Sequence, residues 1–118
     1  EVEETFLTLK EYGFERKEEM IDYAQDVIRS YNQRIDKVEE SVESKANELS
    51  STVKETLNQN IQKVKSLRDS LSMTVAKVKP ASEKTYIELK GEVQKGEKML
   101  RQSLENLEEE YLKNSKKE

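Results

Sequence analysis

The 118-residue chain has no cysteine, no histidine and no tryptophan, only three glycines and one proline, and 6% aromatic residues. Each absence excludes something. Without Cys and His there is no thiol nucleophile, no imidazole base and no ligand set for the common zinc sites. Three Gly and one Pro are too few for the turns of a β-sandwich or barrel. No apolar run approaches the roughly 20 residues that a membrane-spanning helix needs. Hydrophobic residues are 33% and charged ones 39%, and the mean hydropathy is -0.98, which argues against a large core around a deep pocket. No glycine-rich phosphate loop, nucleophile elbow or acid/base pair in a plausible pocket is found. The chain therefore reads as a non-enzyme, with no catalytic, cofactor or metal residues and no small-molecule substrate.

What is present is charge, unevenly spread. The formal net charge is -4, from 21 basic and 25 acidic residues. Residues 1–48 hold 14 acids against 7 bases, and residues 49–118 hold 11 against 14. Opposite signs favour one half folding back on the other, or two chains pairing antiparallel. The overall balance lacks the dense basic face that releases counterions from nucleic acid, so no nucleic-acid partner is expected. Zero cysteine suits any compartment, and localisation stays open. No secretory leader is recognisable. A start at Glu-Val rather than Met is expected of a chain whose leader was removed or of an excised segment.

The periodicity carries the most information. Counted every eleven residues from Leu9, the blocks open at Leu9, Met20, Tyr31, Val42, Val53, Val64, Val75 and Tyr86, all apolar or aromatic. The eighth place reads Arg16, Val27, Val38, Leu49, Asn60, Leu71, Ser82 and Val93, and the fourth and fifth places share Tyr23, Ala24, Ile35, Ala46, Leu57, Leu67, Val78 and Leu89. Eleven residues in three turns is 3.67 per turn, so these places form one nearly straight stripe on an α-helix. Val93, Leu100 and Leu107 then follow at seven, the spacing of a coiled-coil seam. The expected fold is all-α: an antiparallel helical bundle, or a helical hairpin or coiled coil with eleven-residue repeats, in a single domain spanning 1–118.

Breakers divide that domain. Gly13 ends a short first helix at 1–12, and Lys79-Pro80 ends the next. The 65 residues of 14–78 lack Gly and Pro and would run about 100 Å as one helix. A break at 47–52 is the alternative, since Thr52 and Glu55 match a capping box. A C-terminal helix is expected at 81–113. A stripe on a lone helix would face water, so either architecture needs a partner surface.

The stripe names the candidate interface: Val42, Leu49, Val53, Leu57, Val64, Leu71, Val75 and Val78. Arg16, Arg34, Lys45, Asn60, Arg68 and Lys79 intrude on it or beside it, and Asn60, midway along the most regular stretch, is the candidate for fixing register. The basic set Lys63, Lys65, Arg68, Lys77 and Lys79 could meet anionic lipid or an acidic partner; its plainer role is to complement a helix C-terminus. Glu15, Glu18, Asp22 and Asp26 fall on polar places and read as a solvated face, as do Glu105, Glu108, Glu109 and Glu110. The tyrosines of the stripe read as core with wet hydroxyls.

The blocks at 53–63 (VKETLNQNIQK) and 64–74 (VKSLRDSLSMT), with a proline punctuating the series, resemble those of the exchangeable apolipoproteins over about three quarters of the chain. That resemblance implies a helical bundle able to open onto lipid. The stripe is, however, mostly one apolar residue per turn and rich in Val, whereas deep lipid insertion favours a wider face and larger groups. The preferred expectation is a non-enzymatic helical interaction or scaffold module that packs its stripe against protein helices and self-associates. Reversible binding to a lipid surface is the alternative, and a spacer segment of a longer filament or surface protein is a third.

Overall fold

Two short interruptions turn the stripe back on itself. In the computed structural model, which describes residues 12–115, a single 3₁₀ turn at Phe14–Arg16 leads into helix α1, Lys17–Ser44; α2 is Ser51–Val78 and α3 is Glu83–Ser115. The protein is all-α, and its described residues form a three-helix bundle. The expected helix at 1–12 lies outside the described residues except for Tyr12. The stretch 14–78 is two helices of equal length, broken at 45–50, and the third helix starts and stops two residues later than expected.

Each interruption has a local cause. At the first, Ser50 adopts extended backbone, and its hydroxyl accepts the Val53 N–H at 3.2 Å. This satisfies one of the orphan donors of a helix N-terminus. The cap is thus Ser50 and not Thr52, which sits one residue inside the helix. Val53 occupies the place where a capping box would need Glu or Gln. At the second, Pro80 has no N–H to continue a helix, and the chain turns through Ala81 N–H to Val78 C=O at 3.0 Å. Ser82 then starts α3: its hydroxyl accepts from the Thr85 N–H at 3.4 Å and its carbonyl from the Tyr86 N–H at 2.7 Å.

Connections this short force neighbours to run antiparallel. α1 and α2 do so, with Arg68 reaching Asn32 and Lys65 reaching Glu39. α3 returns alongside α2 and runs parallel to α1, with Tyr86 bonded to Tyr12 and Arg34 to Glu108. The result is a rod of 53 × 23 × 17 Å. The backbones of α2 and α3 approach most closely. Gly96 contributes to this, because a Cβ there would sit 3.3 Å from Leu71 Cδ1. α1 stands further from α3, with Tyr31, Glu97 and Arg101 between them.

One core runs the length of the rod, from Met20 and Tyr86 at one end to Val42, Leu57 and Leu107 at the other. Burial of a Val, Leu or Ile side chain contributes about 1.5–3 kcal/mol, so this layer holds the helices together. Among the described residues, the large apolar side chains left exposed, Met73, Ile87, Met99 and Leu112, are spread over α2 and α3 at spacings that do not form one helical face, as is ordinary for a protein surface.

Leu57 is fully buried and Met73 is 65% exposed. Leu57→Ala should therefore lower unfolding stability by about 2–5 kcal/mol, whereas Met73→Ala should change it by less than about 0.5 kcal/mol. Thermal or urea melts followed by circular dichroism would check both.

Candidate functional site: the helix seam and its sealed ion cluster

The eight residues expected at a partner interface lie in the seam between the chain's own helices. Leu57, Val64, Leu71, Val75 and Val78 are at most 2% exposed, Val42 and Leu49 are buried, and Val53 is half-buried against the same core. In the bundle the chain supplies partner helices to these side chains from within itself. The physical reason is that each of the three helices carries one narrow stripe, and three stripes cover one another.

Asn60 is not in the core. It is half-buried on the rim of the α2–α3 seam, lining an open groove of about 200 Å³ with Lys63, Val64, Ser103, Asn106 and Leu107. The basic set is divided among different tasks. Lys65 pairs with Glu39 of α1 at 2.8 Å. Arg68 bonds Asn32 of α1 at 3.1 Å and Asp69 at 3.0 Å. Lys63, Lys77 and Lys79 are exposed. Glu15, Glu18, Asp22 and Asp26 are exposed, Asp26 pairing with Arg29 at 2.7 Å.

Among the described residues, the charged side chains buried in the core are Glu97 and Arg101, 1% and 8% exposed. Tyr31 of α1, fully buried, donates its hydroxyl to Glu97 Oε2 at 2.5 Å. Arg101, one turn along α3, donates Nη1 to both Glu97 oxygens at 3.2 and 3.3 Å. Arg34 lies over the Tyr31 ring at 5.5 Å and makes a two-pronged bond to Glu108, 2.6 Å from Nη2 and 3.0 Å from Nε. Burial, followed by the bond to Glu97, pushes the Tyr31 phenol well above its ordinary 10.0. The Glu108 bond likewise raises the Arg34 pKa.

A charge taken out of water is tolerable only when paired and hydrogen-bonded. Sliding α1 against α3 by one turn would separate Tyr31 from Glu97 and Arg34 from Glu108. The cluster therefore selects one α1–α3 register, the role expected of Asn60. A sequence signal existed. Glu97 falls between Val93 and Leu100 on the heptad seam, and Arg101 follows it at i+4, the spacing of a helical ion pair. Glu108, expected on a solvated face, sits beside Leu107 at the seam's edge.

The end of the rod opposite the 45–50 turn is closed by the segment before α1. The Tyr12 carbonyl accepts from Tyr86 Oη at 2.7 Å and Lys90 Nζ at 3.1 Å. Phe14 packs edge-on against Tyr86, with centroids 5.8 Å apart. Lys17 Nζ donates to the carbonyls of Lys79 at 2.7 Å and Ala81 at 3.2 Å, neutralising the negative end of α2. Burial and then the nearby Glu15 charge raise the Tyr86 phenol as well.

Comparison of the chain with models of protein families, with curated proteins and with solved structures found no match.

Two expectations follow from the cluster. Arg101→Met takes the Arg101 cation from buried Glu97 and should cost about 3–5 kcal/mol, and adding Glu97→Leu with Tyr31→Phe, which leaves no hydroxyl facing an apolar group, should recover most of the loss, because a sealed ion pair and an apolar pair of similar volume are often close in stability; urea titrations of the single and triple variants would check this. The second concerns pH. Above 10 the unfolded chain releases phenolic protons that folded Tyr31 and Tyr86 keep. The unfolded state then binds fewer protons, and stability falls as pH rises, by up to about 1.4 kcal/mol per pH unit for each tyrosine. Melting curves between pH 9 and 11 should show that decline, and Tyr31→Phe should make it shallower.

Proposed function

We propose that this chain is a non-enzymatic helical interaction module, whose work is to pack apolar seams against helices, its own and those of another chain. The observation that carries this reading is where the apolar residues go. Seven of the eight stripe residues singled out above are buried between helices, and the eighth is half-buried. Three grooves along the rod are open, about 200–270 Å³ each, and the buried part of the ion cluster, Tyr31, Glu97 and Arg101, lines none of them. A protein invested this way in helix–helix complementarity has recognition as its available chemistry.

A second reading, reversible binding to an anionic lipid surface, draws support from exposed Lys63, Lys77 and Lys79 beside the seam of α2. Among the described residues no helix is long and apolar enough to cross a membrane. Lipid binding would therefore need the bundle to open and lay its stripes on the interface.

Light-scattering mass from about 1 µM to 1 mM, with and without anionic vesicles, separates these readings by mass action. A mass rising above 13.8 kDa and indifferent to vesicles is the expected result. A chain that leaves solution with vesicles and returns on adding salt would favour the lipid reading. A monomer at every concentration that ignores vesicles would remove both self-association and lipid binding.

A further inference from the structure

We propose that two copies of this chain pair by exchanging α1: the 45–50 turn straightens, α1 and α2 become one helix, and each α1 packs into the seam between α2 and α3 of the other copy. The proposal rests on the reading that the seam serves helices of another chain, and it identifies that chain as a second copy.

The seam runs straight through the turn. Val42, Ala46, Leu49, Val53 and Leu57 follow at spacings of four, three, four and four, which is one continuous face of a helix. Leu49 is buried and Ala46 half-buried, although both lie in the turn. Nothing in residues 45–50 resists a helix: there is no Gly or Pro and no positive φ. Much of the turn already has helical or near-helical bonding, Lys45 N–H to Ser41 C=O at 3.1 Å, Ala46 N–H to Glu43 C=O at 3.3 Å and Glu48 N–H to Lys45 C=O at 2.9 Å. Ser50, with ψ 158°, is the clear departure. The connection between α2 and α3 differs, because Pro80 bars a through-helix there, so the α2–α3 hairpin stays closed in both states.

Straightening lets the orphan carbonyls of α1 accept from the amides of 45–48 and the orphan amides of α2 donate to the carbonyls of 47–50, and it forfeits the Ser50 cap. The cross-helix pairs Asn32–Arg68 and Glu39–Lys65 have residue numbers adding to 100 and 104. In two straightened helices laid antiparallel at that register, the two-fold axis passes near residues 50–52, and Leu49 and Val53 of both copies meet across it. The Tyr31–Glu97 and Arg34–Glu108 contacts re-form between chains, so the two states differ chiefly in the turn, as exchange requires. The joined helix, residues 17–78, is about 93 Å long, against 53 Å for the closed bundle.

The test uses the Glu39–Lys65 ion pair, 2.8 Å apart, which a carbodiimide converts to an amide. Equal amounts of full-length chain, one carrying natural and one heavy nitrogen, are mixed unfolded and refolded at about 1 µM and about 1 mM, so that mass action favours opposite states. The expected product at high concentration is a dimer about 100 Å long, whose Glu39–Lys65 crosslinks join light to heavy peptides. The monomer at low concentration should carry that crosslink within one chain. Ser50→Ala removes a cap that only the turn uses, once per copy, and should raise the dimer association constant roughly 30-fold. Asn47→Pro interrupts the joined helix and should hold the chain as a monomer. A dimer whose crosslinks all stay within one chain overturns the exchange and leaves self-association standing. A monomer at both concentrations overturns the exchange and self-association together. An association constant unmoved by Ser50→Ala, or mixed crosslinks in Asn47→Pro, overturns the straightened turn.

Discussion

A helix with about one apolar residue per turn cannot keep its stripe dry against a single flat neighbour. Its narrow seam must be met from two sides, and in this chain the neighbours come from the same polypeptide. Met20, Tyr31 and Val42 on α1, Leu57, Val64 and Val75 on α2, and Tyr86, Val93 and Leu107 on α3 are buried together as one layer. Much else follows from that mutual cover. The rod is 53 Å long and only 17–23 Å across, because three narrow stripes enclose a line rather than a volume. The connections are short because each helix must return along the one before it. Charged residues can make up 39% of the chain because most of every helix surface is left to water.

The one interface that departs from apolar packing lies between α1 and α3. Gly96 lets α3 come close to α2, whereas Tyr31, Glu97 and Arg101 hold α1 and α3 apart and bond across the gap. Apolar seams tolerate sliding by a turn, because one Val resembles the next. A sealed carboxylate tolerates it poorly, because every other register leaves a charge without its partner. Packing along the stripe thus supplies most of the adhesion, and the cluster supplies the alignment. The same division bears on exchange between copies. The cluster specifies which surfaces meet without specifying that they belong to one chain, and the 45–50 turn is the element that decides between the two.

Helical content and the position of the core were legible in the residues themselves. Eleven-residue spacing places Val42, Val64, Val75 and Tyr86 on one face whatever the chain does next, and all four are buried. Pro80 marked the second turn for a reason confined to its own ring. The first turn was half-legible: 47–52 contains Ser50, yet Thr52 carries the more conspicuous motif, and choosing between adjacent hydroxyls depends on where the chain bends. The buried cluster was the part least visible. Glu97 and Arg101 sit on the heptad seam, but a glutamate among thirteen other charged residues of α3 looks like solvated charge until Tyr31, 66 residues away, is seen to face it. Asn60 was the natural choice for fixing register by position along the stripe, and the rotation of α2 puts it on the rim instead.

The sequence by itself determined that the chain is helical, which face of each helix is apolar, and where a proline forbids continuation, because these depend on residues within a turn or two of one another. Tertiary structure decided that the stripes close on the chain's own helices, that Ser50 rather than Thr52 caps α2, and that Tyr31, Arg34, Glu97, Arg101 and Glu108 form one cluster. Those outcomes depend on how helices tens of residues apart are turned toward each other. Local periodicity fixes the face a helix presents, but which face meets it is set only when all three are packed.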